Sequence, residues 1–228
     1  MADPAFKPAL IVVDLQEDFC PPNGSLAVSE GRAIIPVVNS LLRLPGFVAR
    51  IATKDWHPSD HISFAANHPG KRPFADTCTV ANPLNPAETY QTRLWPVHCV
   101  QGTPGAELVP ELDAGLLDRV VEKGTHAAVE MYSAFHDPLR RPRVSDSGLA
   151  AALREAGVTD VYVVGLTADY CVRSTAVDAL AEGFGSFVVE EGTRAVDAAR
   201  WPECRLEMEK AGVRVVSVDG PEVGRLRG

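Results

Sequence analysis

The chain has 228 residues, of which 46% are hydrophobic and 23% are charged, and 22 basic against 30 acidic residues give a formal net charge of −8. These proportions are typical of a globular protein and exclude disordered, collagen-like and low-complexity classes. The acidic balance argues against nucleic acid or an anionic membrane as a partner. The apolar runs are strand-length, far below the roughly 18 residues of a membrane helix.

The first seven residues lack the basic and apolar segments of a signal peptide, which predicts a cytoplasmic protein that is also small enough for the nucleus. An odd number of cysteines, scattered along the chain without a Cys-x-x-Cys pair, is typical of reduced thiols. These cysteines are Cys20, Cys78, Cys99, Cys171 and Cys204. We expect most of them to be structural, and one of them to be a candidate nucleophile.

Short apolar runs rich in β-branched residues recur along the chain, and helical patterns lie between several of them. The apolar runs are Ala9–Val13, Val48–Thr53, Arg119–Glu122, Asp160–Val164, Phe187–Val189 and Val213–Val218. The helical patterns are Ile34–Leu42, Ser147–Leu153, Tyr170–Ala181 and Cys204–Lys210. This alternation predicts one three-layer α/β/α domain over residues 1–228, with a mainly parallel sheet of about six strands.

The stretch from Pro58 to Pro110 fits this alternation poorly, because it is rich in Pro, Asn, Thr and Gly and has little periodicity. A structureless loop of that length is uncommon unless it is functional. We therefore interpret residues 65–94 as an insertion or lid within the same domain. The alternative is a surface insertion without a role.

Side chains suited to catalysis follow several of the predicted strands. They are Asp14, Asp55 with His57, Lys123, and the turn Gly165–Cys171. Ligands of open parallel α/β sheets bind at the carboxyl ends of the strands. The topology is therefore expected to bring a carboxylate, a candidate metal pair, an ammonium and a thiol to one edge.

Cys171 lies in the first turn of a predicted helix that follows a strand and a glycine turn. The helix dipole there is expected to lower the thiol pKa, and free backbone N–H groups can receive an oxyanion. Asp14 could then take the thiol proton and deliver it to a leaving amine, while Lys123 stabilises both anions. An isolated buried cysteine is as often a packing residue, but the strand–turn–helix context favours a nucleophile.

Asp55 and His57 stand two residues apart on an extended segment and therefore point to the same side. A carboxylate oxygen with an imidazole nitrogen suits Zn²⁺ or a similar divalent ion. His98 is the best candidate for a third ligand, and His61 is the next. Alone, such a pair is more often a hydrogen-bonded surface pair.

The sequence contains no glycine-rich nucleotide-binding motif, no P-loop and no Gly-x-Ser-x-Gly elbow. Five aromatic residues could line a pocket, although each alone is more often a core residue. They are Phe19, Trp56, Trp95, Tyr132 and Phe135.

Several stretches between residues 9 and 218 carry a more specific signal: Ile11–Phe19, Lys54–Pro58, Ile62–Ala65, Trp95–Ala106, Glu122–Gly124, Tyr132–Phe135 and Gly165–Val172. Together they resemble the nicotinamidases of the isochorismatase-like cysteine hydrolase family. The insertion between Phe64 and Trp95 is similar to that of eukaryotic, especially fungal, members.

The resemblance implies an amidohydrolase that converts nicotinamide to nicotinic acid and ammonia through a cysteine thioester, as a step of NAD salvage, and that also accepts pyrazinamide. It implies the catalytic triad Asp14, Lys123 and Cys171. It also implies a divalent metal, zinc by default with Fe²⁺ or Mn²⁺ as alternatives. The implied metal ligands are Asp55, His57 and His98, joined in some members by His61.

The resemblance further implies a cis peptide bond between Leu166 and Thr167, and an oxyanion hole formed by the N–H groups of Thr167 and Cys171. Phe19, Trp95 and Tyr132 would be walls of the pocket around the pyridine ring. The turn Thr167-Ala168-Asp169 departs from the Ala-Thr-Asp that is more common in the family. This departure affects the side-chain contacts at position 167.

Other functions stay open at this point. A carbamoyl or ureido hydrolase of the same family would typically lack the metal ligands. A catalytically silent binding protein on the same fold would be expected to have lost Asp14, Lys123 or Cys171, all of which are present. A homo-oligomer is compatible with the sequence.

Overall fold

The structure, a computed structural model, describes residues 6–228 and contains eight strands within that range. They are β1 (Pro8–Val13), β2 (Ala49–Asp55), β3 (Thr77–Asn82), β4 (Asn85–Arg93), β5 (Arg119–Lys123), β6 (Asp160–Leu166), β7 (Gly185–Arg194) and β8 (Arg214–Val216). The expectation that the first residues carry no signal peptide concerns mainly residues 1–5, which lie outside the described part.

Six of the strands form one sheet in the order β5-β2-β1-β6-β7-β8, and every neighbouring pair is parallel. All six carboxyl ends therefore lie along one edge. Strand β7 continues to Arg194, past the predicted Phe187–Val189, because its pairing with β6 shifts register and resumes at Gly165. The acidic residues Glu190 and Glu191 interrupt the apolar pattern there, so the pattern did not predict this extension of the strand.

Helices cover both faces of the sheet. They are α1 (Ile35–Leu42), α2 (Leu149–Glu155), α3 (Arg173–Ala181), α4 (Trp201–Ala211) and α5 (Pro221–Gly224), and a π-helical turn at Ala168–Val172 leads into α3. Successive residues of a strand point to opposite faces. Leu10 and Val12 accordingly pack in the core with α1 and α5, whereas Ile11 packs with α2, α3 and α4. The predicted three-layer α/β/α architecture is confirmed.

The segment that lacked periodicity contains an antiparallel hairpin of β3 and β4. Most hairpin residues are at least partly exposed, so no apolar alternation marks the strands. The hairpin packs against the segment that follows β5. The Tyr90 hydroxyl donates to the Glu130 carbonyl at 2.8 Å, and the Thr92 and Tyr132 hydroxyls lie 2.9 Å apart. The lid role of residues 65–94 stays a prediction.

Within residues 6–228 there is no helix with the length and apolar character needed to cross a membrane.

Candidate active site and metal centre

The carboxyl edge of the sheet collects the predicted polar residues. Asp14 directly follows β1, Asp55 ends β2, Lys123 ends β5, and Cys171 lies in the turn after β6. All four are buried. Parallel strands place these ends side by side, as the sequence predicted.

The ammonium of Lys123 is the centre of the arrangement. Its Nζ lies 2.9 Å from Asp14 Oδ2, 2.5 Å from Asp55 Oδ1 and 3.5 Å from Cys171 Sγ. Burial lowers the pKa of Lys123, but the carboxylates of Asp14 and Asp55 outweigh burial and hold the pKa well above its ordinary value. Lys123 is therefore charged, and it links two groups that the sequence suggested separately.

Asp14 is held by its backbone and by Thr53. The residue has a φ of 46°, a left-handed conformation that Asp tolerates better than most residues. The Thr53 hydroxyl donates to Asp14 Oδ1 at 2.5 Å and accepts the Asp14 N–H at 3.1 Å. Burial raises the pKa of Asp14 to about 6, although Lys123 opposes the shift. The carboxyl can therefore gain and lose a proton near neutral pH.

The expectation that the helix end lowers the pKa of the Cys171 thiol was wrong. Burial raises the pKa of Cys171 well above its ordinary value, and the neighbouring carboxylates of Asp14 and Asp55 add to the rise, while Lys123 lowers it. Desolvation of a thiolate thus outweighs the helix end. The resting thiol keeps its proton, and Asp14 is the neighbouring base that can take it.

Asp55, His57 and His98, which we call the metal group, converge on one point. Asp55 Oδ2 lies 3.5 Å from His57 Nε2 and 3.9 Å from His98 Nε2. The other ring nitrogen of each histidine is held by a carbonyl, His57 Nδ1 by Gly124 and His98 Nδ1 by Pro96, both at 2.8 Å. Such carbonyl bonds orient metal-binding histidines.

The metal group fits a divalent ion on structural grounds. His57 Nε2 is buried without a hydrogen-bond partner, which is costly unless another group occupies the position. Two imidazole nitrogens and a carboxylate oxygen, with their ligand atoms within 4.8 Å of one another, are a donor set that zinc accepts. The three residues predicted as ligands are thus brought together.

His61 lies beside the metal group, with its ring stacked on that of His57 at 4.0 Å. Its Nδ1 is 2.8 Å from the Ser63 hydroxyl and its Nε2 is 3.1 Å from the Val129 carbonyl. Burial lowers the pKa of His61 to about 2. Both nitrogens are hydrogen-bonded within the protein. His61 also forms, with His57 and Glu130, a second group of potential ligand atoms within 4.8 Å of one another, so its role as a metal ligand stays a prediction.

Sequence reasoning missed Glu130. A carboxylate oxygen of this buried residue lies within 4.8 Å of ring nitrogens of His57 and His61. Glu130 also lines the cavity that Cys171 borders. Burial raises its pKa. It lies in the irregular segment between β5 and α2, where no periodicity could mark it as an inward-facing residue.

A narrow cavity adjoins both the thiol and the metal group. Its walls are Phe19, Leu26, Trp95, Tyr132, Tyr170 and Val196, and its polar residues are Asp55, His98, Glu130, Thr167 and Cys171. The predicted walls Phe19, Trp95 and Tyr132 therefore share one cavity, and Trp95 donates to the Tyr132 hydroxyl at 3.0 Å. The other candidates lie elsewhere: Phe135 is buried in the core beneath α2 and α3, and Trp56 packs under Lys54.

Thr167 joins the end of β6 to the π-helical turn. The Leu166–Thr167 peptide bond is cis, as predicted. The Thr167 carbonyl accepts the N–H groups of Tyr170 and Val172 at 3.2 and 3.0 Å. Thr167 and Cys171 thus border the same cavity from the two ends of one turn.

Comparisons with known proteins agree with this geometry. Residues 8–220 match the isochorismatase domain family. The nicotinamidase of Acinetobacter baylyi is 44% identical over 189 residues, which are 83% of this chain and 82% of that protein.

Solved structures of nicotinamidases and a pyrazinamidase are also similar to this chain. The yeast nicotinamidase bound to the inhibitor nicotinaldehyde matches with a TM-score of 0.86 and 34% identity, over 92% of this chain and 99% of that one. The pyrazinamidase of Pyrococcus horikoshii, solved in complex with zinc, matches with a TM-score of 0.71 and 36% identity, again over 92% and 99%. The resemblance predicted from the sequence motifs is confirmed.

Proposed function

The chain belongs to the isochorismatase domain family, and we propose that it is a nicotinamidase, an amidohydrolase that converts nicotinamide to nicotinate and ammonia. One observation carries the proposal. A single aromatic-walled cavity borders the Cys171 thiol and also Asp55 and His98 of the metal group. A flat heteroaromatic carboxamide matches such a cavity, because its ring needs apolar walls and its amide needs a nucleophile.

Asp14, Lys123 and Cys171, which we call the catalytic trio, perform the proposed chemistry. The Cys171 sulfur attacks the carboxamide carbon while the thiol proton passes to Asp14. The N–H groups of Thr167 and Cys171 receive the oxyanion, and losing one such donor costs about 3 kcal/mol in other hydrolases. Asp14 then protonates the departing amine, and ammonia leaves a thioester on Cys171.

The second half of the reaction reuses the same base. Asp14, again ionised, takes a proton from water, and the resulting hydroxide attacks the thioester carbon. The C–S bond then breaks to release nicotinic acid, which ionises to nicotinate, and Asp14 returns its proton to the Cys171 sulfur. Lys123 keeps its charge throughout, because its ammonium lies between Asp14 and Asp55. Its role is to orient Asp14 and to stabilise the sulfur anion as it forms.

Asp55, His57 and His98 would hold the divalent metal, and we propose zinc, which is present in the Pyrococcus horikoshii relative. Fe²⁺ and Mn²⁺ accept similar donor sets. When bound, the metal would supply a Lewis-acid contact for the pyridine nitrogen. We place His61 and Glu130 behind this group, where they pack against His57.

The remaining expectations are part of the same proposal. All five cysteines are free within residues 6–228, which supports a reducing, cytoplasmic location. We also propose that residues 65–94 belong to the single domain. The hairpin hydroxyls of Tyr90 and Thr92 bond to Glu130 and Tyr132, which line the cavity.

The test is release of ammonia and nicotinate from nicotinamide by the purified, zinc-loaded enzyme, with Cys171→Ala measured alongside. We expect turnover by the wild type and a loss of at least about 1,000-fold in the variant, with nicotinate binding retained. Cys204→Ala, which removes a buried thiol in α4, is the matched control. No release by the wild type would refute the function and favour a carbamoyl or ureido substrate, whereas residual Cys171→Ala activity above one part in about 1,000 would refute the nucleophile.

A further inference from the structure

The side chain of Thr167 has no role in the chemistry above, which uses only its backbone N–H. Thr167 is only 3% exposed, and it lines the substrate cavity with Cys171. The residue that carries this buried hydroxyl therefore borders the cavity beside the nucleophile.

Four buried side-chain polar atoms within residues 6–228 lack a hydrogen-bond partner: Asp14 Oδ2, His57 Nε2, His136 Nε2 and Thr167 Oγ1. The first three face groups that account for them. Asp14 Oδ2 is 2.9 Å from the Lys123 ammonium, His57 Nε2 belongs to the metal group, and His136 Nε2 is 3.5 Å from Glu182 Oε1. Only the Thr167 hydroxyl, among these four, faces no protein group of complementary charge.

Buried hydroxyls nearly always have a partner, since desolvating them without one is unfavourable. The other four buried threonines within residues 6–228 follow this rule: Thr53 bonds to Asp14, Thr92 to the Tyr132 hydroxyl, Thr175 to the Ala134 amide and Thr193 to the Gly165 carbonyl. Because Thr167 borders the cavity, its missing partner is expected to be the substrate.

We propose that the Thr167 hydroxyl is a third oxyanion donor, which acts beside the backbone N–H groups of Thr167 and Cys171. This inference rests on the proposed function. When the Cys171 sulfur bonds to the carboxamide carbon, the C=O π electrons move to the oxygen and the thiol proton moves to Asp14. The Thr167 O–H then donates to that oxygen, a bond that strengthens as negative charge develops.

The test compares Thr167→Val, which replaces the hydroxyl by a methyl group of similar size, with Thr167→Ser, which keeps it. For Thr167→Val we expect kcat on nicotinamide to fall by about 10- to 100-fold, as for loss of a hydrogen bond to a charged group, with KM changed little. Thr167→Ser is expected to stay within about threefold of the wild type in kcat, because it retains the donor.

Inhibition by nicotinaldehyde supplies a second readout that does not depend on turnover. Addition of the Cys171 sulfur to the aldehyde carbon breaks the C=O π bond and leaves the charge on the former carbonyl oxygen, while the thiol proton passes to Asp14. The inhibition constant of Thr167→Val is therefore expected to rise by the same factor by which kcat falls. The affinity for nicotinate, which cannot form this adduct, is expected to change little.

Thermal unfolding separates this role from a structural one. Thr167→Val removes an unpaired buried hydroxyl, so the Tm of the free enzyme is expected to stay equal or to rise. Thr193→Val is the contrasting control, because it removes the donor to the Gly165 carbonyl and is expected to lower the Tm.

The outcomes are distinguishable. An active wild type with a Thr167→Val variant of unchanged kcat and nicotinaldehyde affinity would overturn the third donor and leave the function standing. A rise in KM alone would likewise overturn it, because the contact would then be made in the ground state. If the wild type releases no ammonia, the proposed function fails, and this inference fails with it.

Discussion

The catalytic trio and the metal group lie side by side at one sheet edge, but they are held by different means. Asp14 and Lys123 stand at strand ends, and opposite charges hold them at 2.9 Å. Only Asp55 of the metal group ends a strand, whereas His57 and His98 lie in loops and are aimed by the carbonyls of Gly124 and Pro96. The trio therefore depends on the sheet and on charge, and the metal group depends on loop backbone.

Lys123 belongs to both regions, because its Nζ contacts Asp14 and Asp55. Its loss is therefore expected to have the largest effect. Lys123→Met should lower turnover by at least about 1,000-fold. It should also lower the free energy of unfolding by about 3–5 kcal/mol, because two buried carboxylates lose their counter-ion.

Denaturant unfolding with parallel ammonia assays measures both effects. Lys54→Met is the control, since Lys54 is also buried but pairs with one mostly exposed carboxylate, Glu107, which water can solvate, so its loss should lower the free energy of unfolding by clearly less. An active Lys123→Met enzyme with wild-type stability would contradict the shared role of Lys123.

The metal group alone should respond to Gly124→Ala. Gly124 has a φ of 65°, and an added Cβ would lie 2.4 Å from His57 Cε1. The variant must displace the ring or the carbonyl that aims it, so we expect zinc affinity to fall by about 10- to 100-fold, as for other losses of a histidine-orienting bond.

Gly70→Ala is the matched control, because Gly70 has a φ of 76° and open space around the added Cβ. Both variants place an alanine in a left-handed backbone conformation, which destabilises the folded state in each. Only Gly124→Ala should lose zinc in a chelator competition. Equal zinc affinities in the two variants would show that the Gly124 carbonyl does not position His57.

The trio alone should set the acid limb of the pH profile. The pKa of Asp14 is raised to about 6, and Asp14 must be ionised to take the thiol proton. Consequently kcat/KM should fall about tenfold per pH unit as the pH drops below about 6.

The positive charge of Lys123 lowers the pKa of Asp14, so replacing Lys123 by a neutral residue should raise that pKa. In Lys123→Met any residual activity should therefore have its acid limb at higher pH than in the wild type. A limb that stays in place, measured by stopped assays across the pH range, would assign it to another group.

The smallest effect is expected from a change of substrate that leaves both regions intact. Pyrazinamide keeps the carboxamide for Cys171 and a ring nitrogen for the metal group, so we expect hydrolysis within about tenfold of the nicotinamide rate, a difference of one weak contact. Ammonia assays with both amides measure the ratio. Complete inertness toward pyrazinamide would mean that the cavity walls discriminate the second ring nitrogen.

The sequence by itself determined the strand-and-helix alternation and the residues that end the strands. Period and composition are local properties, and parallel pairing brings strand ends together without further information. Asp14, Asp55, Lys123 and Cys171 could therefore be placed at one edge before the structure was known. The spacing of Asp55 and His57 already suggested a metal pair with His98 as the best third ligand, but only the family resemblance made His98 specific, because it stands in a loop far from His57 in sequence.

Only the tertiary structure decided the electrostatics and the irregular segments. Burial among carboxylates raises the Cys171 pKa that helix position alone would lower, and Lys123 joins two groups that the sequence kept apart. Glu130 and the exposed β3–β4 hairpin gave no periodic signal, because neither belongs to the two-sided apolar pattern of the sheet. Desolvation, ion pairing and an orphaned hydroxyl at Thr167 depend on neighbours distant in sequence, so they follow from the packed chain and not from its local pattern.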